Sequence, residues 1–221
     1  MKHKAVIFDM DGVLIDSEKI SRDLWIKYGT SMGIPEREMN DVFKFCLGMN
    51  MQDEADEFNK RYDWNYDQYK SFVDKVQQEK EMYRSPSGSL PLKSNAVDLL
   101  EALSGEDIKI ALASSSTPEN INRNLSGNDI AGYFEVIVSG QDVRHSKPDP
   151  EIYIKTADKL GVHPSECLVI EDAPNGIEAA VKAGMDVIMV MDTVNTDPDT
   201  LGHVVIAVSH LFQIVDIIDI L

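Results

Sequence analysis

Two aspartates stand two positions apart near the N-terminus, in the segment Lys-Ala-Val-Ile-Phe-Asp-Met-Asp-Gly at residues 4–12. An apolar run of this length that ends at a glycine is typical of a buried strand, and the reactive groups of parallel α/β sheets lie just beyond the carboxyl ends of strands. We therefore expect Asp9 and Asp11 to share one cleft. A carboxylate can attack phosphorus or carbon, bind a divalent cation or deliver a proton, so the pair could divide these tasks, with Asp9 as the nucleophile and Asp11 as the acid and base.

The same residue types also occur in calcium loops and in polar turns. A calcium loop needs Gly at its sixth position and Glu at its twelfth, whereas counting from Asp9 these positions hold Leu14 and Ile20. The calcium loop therefore fits poorly. A polar turn stays open as an alternative for this segment taken alone.

A second apolar run, residues 108–113, ends in a serine triplet that starts at Ser114. Thr117 and Pro118 then have the pattern of a helix N-cap and a first helical residue. A strand that runs into a helix N-terminus presents backbone N–H groups and the positive end of the helix dipole to an anion. We expect Ser114 to donate to phosphoryl oxygens, and simple helix capping is the alternative.

A third run, residues 136–138, is followed by Ser-Lys-Pro-Asp-Pro at residues 146–150. Prolines on both sides of Asp149 restrict the backbone, so Lys147 comes from a stiffened loop rather than from a helix face. A single lysine is usually solvated surface. The interpretation of Lys147 therefore depends on its neighbours.

A fourth run, residues 168–170, leads into Glu171 and Asp172, and Ala-Pro-Asn-Gly then begins a helix that ends at Gly184. Two adjacent acids at the end of a buried strand are costly unless a cation compensates them. Helix capping by Asp172 is the alternative interpretation.

These four strand ends have the order and spacing of the haloacid dehalogenase superfamily, and the chain resembles its β-phosphoglucomutase-like branch of phosphatases and phosphomutases. The resemblance covers essentially the whole chain. It implies an α/β fold, with a doubly wound parallel sheet in a three-layer sandwich and a small inserted α-helical cap domain. It also implies an enzyme that forms an aspartyl phosphate.

The resemblance assigns the site residue by residue. The residues expected to be catalytic are Asp9, Asp11, Ser114 and Lys147. Those expected to bind phosphate are Gly12, Ser114, Ser115 and Lys147. Those expected to bind Mg²⁺ are Asp9, Asp172, Asp11 through its backbone carbonyl, and Glu171 either directly or from just outside the ligand set.

The charge of the site also calls for a divalent cation. Two like unit charges at close range cost about 4 kcal/mol even at an effective dielectric near 20, so several carboxylates facing a phosphate dianion exceed what Lys147 could offset. Hard oxygen ligands suit Mg²⁺. Magnesium is therefore the expected cofactor.

Asp11 separates the branches of the superfamily, because the dehalogenase and phosphonatase branches lack an acid at this position. Family mutases carry an arginine in a cap segment where this chain has Met51, within Gly48–Asp53, and a histidine where it has Glu18–Ser21. We expect a Mg²⁺-dependent phosphatase that acts on a small phosphorylated metabolite, such as a sugar phosphate. A phosphosugar mutase is the alternative, and a non-catalytic binding protein is a third hypothesis.

The insertion after the first aspartates differs in composition from the rest of the chain. Most aromatic residues lie within residues 17–88, where apolar residues recur every fourth position from Ile20 to Tyr28 like one face of a helix. We expect residues 17–88 to form a helical cap with its own aromatic core, and residues 1–16 and 89–221 to form the catalytic core. Small residues and prolines in both segments that connect the core to the cap suggest a hinge that lets the cap close over substrate.

Composition limits the partners of the chain. The net charge of −17 over 221 residues repels polyanions, and lysine or arginine clusters that would bind nucleic acid are missing from the sequence. Cys46 and Cys167 have neither zinc nor redox spacing, which favours a reduced, cytoplasmic setting. We expect neither a membrane span nor a signal peptide, and we expect a monomer.

Overall fold

A computed structural model describes residues 3–46, 51–191 and 204–217 of the chain. These residues form the strands β1 (Ala5–Phe8), β2 (Lys109–Ala113), β3 (Val136–Val138), β4 (Cys167–Glu171), β5 (Asp186–Val190) and β6 (Ile206–Val208). They also form the helices α1 (Ser17–Ser31), α2 (Glu36–Cys46), α3 (Met51–Tyr62), α4 (Tyr66–Lys80), α5 (Ala96–Ser104), α6 (Pro118–Gly127), α7 (Glu151–Leu160), α8 (Pro174–Lys182) and α9 (Phe212–Ile217). Short 3₁₀ turns lie at Glu81–Tyr83, Ala131–Tyr133, Gly140–Asp142 and Pro164–Glu166.

The six strands pair in parallel in the order β3-β2-β1-β4-β5-β6. The chain builds outward from β1 in one direction and then returns to β4 on the other side of β1, so the order reverses between these two strands. In open α/β sheets, ligands bind outside the carboxyl ends of strands at such a reversal. The predicted site residues lie at or just beyond the ends of β1, β2 and β4, except Lys147, which comes from the loop after the edge strand β3.

Helices cover both faces of the sheet, which explains why its strands read as continuous apolar runs. On one face Ile7 and Val169 belong to an apolar cluster with Ala157 of α7 and Ala180 of α8. Successive side chains of a strand point to opposite faces, and Phe8 accordingly packs edge-on against Phe134, with 6.3 Å between ring centroids. The predicted fold class, a doubly wound parallel α/β sandwich, is confirmed.

The chain divides into two compact units, Met1–Asp16 with Ser85–Leu221, and Ser17–Arg84. The sheet belongs to the first unit, whereas the second consists of α1 to α4 and the following 3₁₀ turn. The inserted segment is therefore helical, as expected. The domain boundaries inferred from composition stay a prediction.

Trp25 lies at the centre of the helical unit. Its ring packs edge-on against Phe43, Phe58 and Phe72, with centroid distances of 5.2, 5.6 and 5.3 Å. Edge-to-face aromatic pairs of this kind each add about 1 kcal/mol beyond the area that they bury. The prediction that the aromatic residues of this segment form a core of their own is confirmed.

Part of the cap segment lies outside the residues that the structure describes. The cap segment in which family mutases carry an arginine, residues 48–53, begins outside the described residues, while Met51 begins α3 and is half-buried. Among the described helices, none combines the length and apolar character that crossing a membrane requires.

Candidate active site

The carboxyl ends of β1, β2 and β4 meet at one edge of the sheet. The register pairs Phe8 with Leu112 on one side and with Ile170 on the other. The backbone N–H of Asp9 continues the ladder by donating to the carbonyl of Ile170 at 3.0 Å. Asp9 and Glu171 are therefore neighbours at the ends of adjacent strands, in the one site to which the resemblance assigns them.

Lys147 joins these two acids. Its Nζ donates to Asp9 Oδ1 at 2.6 Å, to Glu171 Oε1 at 2.8 Å and to the carbonyl of Ala113 at 3.3 Å. The exposed fraction of the Lys147 side chain is 8%, and that of Glu171 is 1%. Hydrogen bonds between ionised groups are about twice as strong as neutral ones. The lysine that the sequence leaves ambiguous thus forms a buried ion pair with two of the predicted site acids.

Both carboxylate oxygens of Glu171 accept hydrogen bonds. Oε1 accepts from Lys147 and from the hydroxyl of Tyr153 at 3.1 Å, and Oε2 accepts from the backbone N–H groups of Asp172 and Ala173, each at 2.8 Å. A Cβ at Gly176 would lie 1.6 Å from Oε1, so glycine at this position leaves room for the carboxylate. These contacts fix Glu171 as the residue that orients Lys147.

Tyr153 is a residue of this cluster that sequence reasoning missed. It is fully buried on α7, and its ring centroid lies 4.9 Å from Lys147 Nζ, within the range of a cation–π contact. Tyr153 and Ala157 lie on the buried face of α7, which packs against the sheet. The apolar periodicity of this helix, directly after the lysine loop, was the signal that could have found it.

Burial governs the electrostatics of the cluster. Burial raises the pKa of Asp9 to about 8; the charge of Lys147 opposes this shift, and the charge of Glu171 adds to it. Burial also acts to lower the pKa of Lys147, but the carboxylates of Asp9 and Glu171 outweigh it and raise this pKa well above its usual range. Lys147 is therefore an ammonium ion at neutral pH. The cluster holds more carboxyl groups than cations, so a further positive charge would favour the ionised form of Asp9.

Asp172 packs directly against Gly12. The exposed fraction of Asp172 is 2%, and a Cβ at Gly12 would lie 2.0 Å from its Oδ2. Gly12 has a φ of +82°, in the left-handed region that favours glycine. Glycine is thus required here for its backbone conformation and for the space beside a predicted metal ligand.

The serine triplet after β2 lies at the same edge. Ser114 is 1% exposed, and its N–H donates to the carbonyl of Val138 at 3.0 Å, which leaves its hydroxyl as the group that could donate to phosphate. Ser115 is exposed, whereas Asp11 is half-buried and accepts a hydrogen bond from the Ser116 hydroxyl at 2.8 Å. The triplet therefore contacts the first aspartate segment as well as preceding a helix.

Helix α6 begins as the sequence predicts. Thr117 is its N-cap and accepts from the backbone N–H of Asn120 at 3.3 Å, and Pro118 occupies the first turn. A helix N-terminus therefore follows the triplet directly, in the arrangement that favours anions.

The donor set fits a Mg²⁺ ion held by two side chains. Within residues 3–46, 51–191 and 204–217, no group of three or more His, Cys, Asp or Glu side chains is placed to hold a metal. The carboxylates of Asp9 and Asp172 and the backbone carbonyl of Asp11 are hard oxygen donors, and Mg²⁺ in proteins usually keeps several positions for water and phosphate. The space that a Cβ at Gly12 would fill lies beside Asp172. Coordination of Mg²⁺ by Asp9, Asp172, Asp11 and Glu171 stays a prediction.

A central parallel sheet with a buried carboxylate and lysine cluster at its carboxyl edge is the arrangement of a Rossmann-like hydrolase. Residues 6–190 match the family model of the haloacid dehalogenase-like hydrolases. The chain belongs to this family, and it is an enzyme of the phosphatase kind.

Similar proteins include phosphatases and a β-phosphoglucomutase-like protein. The chain is 33% identical over 196 residues to the phosphorylated carbohydrates phosphatase of Thermotoga maritima, which covers 83% of this chain and 82% of that protein. It is 30% identical over 189 residues to hexitol phosphatase B of Escherichia coli (strain K12), with coverages of 84% and 82%. The crystal structure of a candidate β-phosphoglucomutase from Thermotoga maritima matches with a TM-score of 0.75 at 30% identity, over 99% of both chains. The predicted superfamily and branch are confirmed.

Proposed function

We propose that this protein is a Mg²⁺-dependent phosphatase that hydrolyses small phosphomonoesters, including sugar phosphates, through an aspartyl phosphate at Asp9. The observation that carries the proposal is the Lys147 ammonium ion, which lies 2.6 Å from Asp9 Oδ1 in a buried cluster. An ammonium beside a buried carboxylate suits attack on an anionic substrate, because it offsets the charge of both. The relatives named for phosphorylated carbohydrates and hexitols support the substrate class.

The proposed Mg²⁺ ligands are Asp9, Asp172 and the backbone carbonyl of Asp11. When bound, the ion supplies positive charge that reduces the repulsion between the carboxylates and a phosphate and polarises a phosphoryl oxygen. Glu171 is assigned to holding Lys147, since both of its carboxylate oxygens already accept hydrogen bonds. Gly12 leaves the space in which Asp172 lies.

In the first half of the reaction a carboxylate oxygen of Asp9 attacks phosphorus in line with the leaving group. The bond from this oxygen to phosphorus forms as the bond from phosphorus to the ester oxygen breaks, and Asp11 gives its proton to the departing alcohol. Lys147 and the Ser114 hydroxyl stabilise the charge on the equatorial oxygens. Gly12 and Ser115 are further proposed phosphate contacts.

In the second half, water attacks the aspartyl phosphate. Asp11, now ionised, takes the proton from this water, the bond between Asp9 and phosphorus breaks, and inorganic phosphate leaves with Asp9 as a carboxylate. Asp11 is thereby protonated again for the next substrate. The same aspartate thus serves both halves.

A phosphosugar mutase is the second candidate, and the structural match to a candidate β-phosphoglucomutase favours it. A mutase would share the first half, but the phosphoryl group would return from Asp9 to another sugar hydroxyl instead of to water. The arginine that family mutases carry in the cap segment is absent, as Met51 stands in its place.

We also place the enzyme in the cytoplasm, as a monomer. Cys46 and Cys167 are free, buried thiols, which suits a reducing compartment. The proposed partner is a small phosphorylated metabolite.

One assay with two readouts tests the proposal. Purified protein with Mg²⁺ is given p-nitrophenyl phosphate and a panel of phosphorylated sugars, and inorganic phosphate is measured. Glucose 1-phosphate is followed in parallel for conversion to glucose 6-phosphate. Phosphate release that the Asp9→Asn variant lacks is the expected result. Interconversion of the two glucose phosphates without net phosphate release would replace the phosphatase by the mutase. If the protein shows neither activity, the hypothesis of a non-catalytic binding protein is the one that remains.

A further inference from the structure

The hydroxyl of Ser116 donates to Asp11 Oδ2 at 2.8 Å, across 105 positions of the sequence. Ser116 lies two residues beyond Ser114, and its backbone N–H donates to the Ser114 hydroxyl oxygen at 3.1 Å. Both residues are therefore tied into the loop after β2. The proposed reaction gives Ser116 no role, although it holds the aspartate that moves the protons.

Ser116 is itself held by the side chain of Asn120, whose Nδ2 donates to the Ser116 hydroxyl oxygen at 3.1 Å. A hydroxyl has one hydrogen to donate, and the donor that it accepts from helps to set the direction of that hydrogen. Asn120 therefore favours the orientation in which Ser116 donates toward Asp11. Ser116 lies just before the N-cap of α6 and Asn120 lies in the first turn of that helix, so the start of α6 places the amide beside the Ser116 hydroxyl.

The chain of hydrogen bonds continues into the interior. Asn124 Nδ2 donates to Asn120 Oδ1 at 3.3 Å, and Asn124 Oδ1 accepts from the backbone N–H of Leu90 at 2.9 Å. Asn124 is fully buried, so it provides a fixed support for Asn120 and Ser116, which lie nearer the surface in this series of hydrogen bonds. Buried polar networks whose members are all hydrogen-bonded make a structure rigid.

We propose that Ser116, supported by Asn120, is a positioning residue that holds the carboxyl group of Asp11 in the orientation needed for proton transfer. This inference rests on the proposed function, in which Asp11 is the acid and base. A general acid works only within hydrogen-bond reach of the atom that it protonates, and a side chain on a short turn would otherwise sample several rotamers. Ser116 restricts that freedom through its hydrogen bond to Asp11 Oδ2.

The leaving group reveals the difference between positioning and mere structural support. Nitrophenolate is a weak base and departs without a proton, whereas phenolate, with a pKa near that of tyrosine at about 10, benefits from one. A variant whose Asp11 is poorly aimed should therefore lose kcat/KM on phenyl phosphate and keep most of it on p-nitrophenyl phosphate, because kcat/KM does not include the later hydrolysis of the aspartyl phosphate. A general loss of folding would lower both equally.

The test compares kcat/KM for these two esters with Mg²⁺ present. The kcat/KM of Ser116→Ala should fall about tenfold to a hundredfold on phenyl phosphate and less than about threefold on p-nitrophenyl phosphate. The loss on phenyl phosphate is part of the rate enhancement of about 10² to 10⁴ that general acid catalysis supplies. Asn120→Ala should show the same selectivity to a smaller extent, and Ser116→Thr, which keeps the hydroxyl, should restore most of the lost activity. The matched control is Asn122→Ala, an exposed asparagine on the same helix.

The outcomes separate the two claims. Equal losses on both esters, or no loss on either, would overturn the positioning role while leaving the phosphatase intact. If Ser116→Ala does not fold, Asn120→Ala decides by the same ratio. If wild-type protein hydrolyses neither ester and releases no phosphate from the sugar panel, the proposed function fails and this inference fails with it.

Discussion

Lys147 Nζ lies 2.6 Å from Asp9 Oδ1, although the two residues are 138 positions apart in the chain. The strand register brings the end of β1 beside the end of β4, and the loop after β3 delivers the lysine between them. The ammonium ion serves two purposes at once. It stabilises a buried pair of carboxylates, and it supplies positive charge where a phosphoryl group would be attacked.

Replacing Lys147 by Met should destabilise the folded protein, because it keeps the length of the side chain and removes the charge that compensates Asp9 and Glu171. Breaking a buried ion pair from one side costs about 3 kcal/mol or more. Urea unfolding in Mg²⁺-free buffer measures the difference, together with phosphatase activity, which should be lost.

The control for this variant is Lys4→Ala. Lys4 also forms an ion pair, with Glu166 at 2.7 Å, but 67% of its side chain is exposed. Exposed pairs contribute about 0 to 1 kcal/mol, so this variant should unfold nearly as wild type does. If Lys147→Met lowers the free energy of unfolding no more than Lys4→Ala does, the role assigned to the buried cluster is contradicted.

Gly12→Ala should lower phosphatase activity far more than an alanine substitution at another glycine with a positive φ. The added Cβ would lie 2.0 Å from Asp172 Oδ2 and must displace that carboxylate. Gly161→Ala is the matched control, because Gly161 also has a positive φ, of +67°, but a Cβ there meets nothing within 4 Å. We expect the control to lose about 1 kcal/mol of stability and little activity. Equal activity in the two variants would show that the space beside Asp172 is not needed.

Mg²⁺ should raise the melting temperature of wild-type protein and restore activity that EDTA removes. An ion that binds only the folded state adds about 2.7 kcal/mol at a hundred times its Kd. Asp172→Asn should abolish this thermal shift, whereas Asp158→Asn, at an exposed position on α7, should keep it. Full activity in thoroughly chelated enzyme, or an unchanged Mg²⁺-dependent rise in melting temperature in Asp172→Asn, would contradict the proposed metal site.

The two thiols should react slowly in the folded protein. Burial, with a smaller contribution from Glu54, raises the pKa of Cys46 to about 12, and burial with Glu166 raises that of Cys167 to about 11, from an ordinary 9.0. A raised pKa means fewer thiolates at a given pH, so labelling by a chromogenic disulfide reagent at pH 8 should be slow and should accelerate as the pH rises. Denaturant should expose both thiols at once. Rapid labelling of folded protein at pH 8 would contradict the burial of these side chains.

Much of the core fold could be predicted from the sequence. Strands β1, β2 and β4 appear as apolar runs because both faces of a parallel sheet are covered, and a polar residue, Asp9, Ser114 or Glu171, follows each run. The carboxyl edge then follows from the rule that parallel strands all end on the same side. That rule places the strand ends at one edge, and the resemblance to the family assigns Asp9 and Glu171 to one site there.

Other parts of the site depend on tertiary packing that spacing does not encode. The hydroxyl of Tyr153 reaches Glu171 only because α7 packs on the sheet at one particular height. The contact of Ser116 with Asp11 joins two loops that are distant in sequence, and its direction depends on Asn120. Side-chain rotamers decide such contacts, and periodicity carries no information about them.

The central claim is that Asp9 becomes phosphorylated, and chemical trapping tests it most directly. Asp11→Asn protein is incubated with Mg²⁺ and p-nitrophenyl phosphate, whose leaving group needs no proton, and is then treated with borohydride, which reduces an acyl phosphate to an alcohol. Mass spectrometry of the peptide that contains residues 4–12 should show homoserine at position 9, absent when substrate is omitted. An unmodified Asp9 in protein that has released nitrophenol, or a reduced residue at another position, would contradict the account.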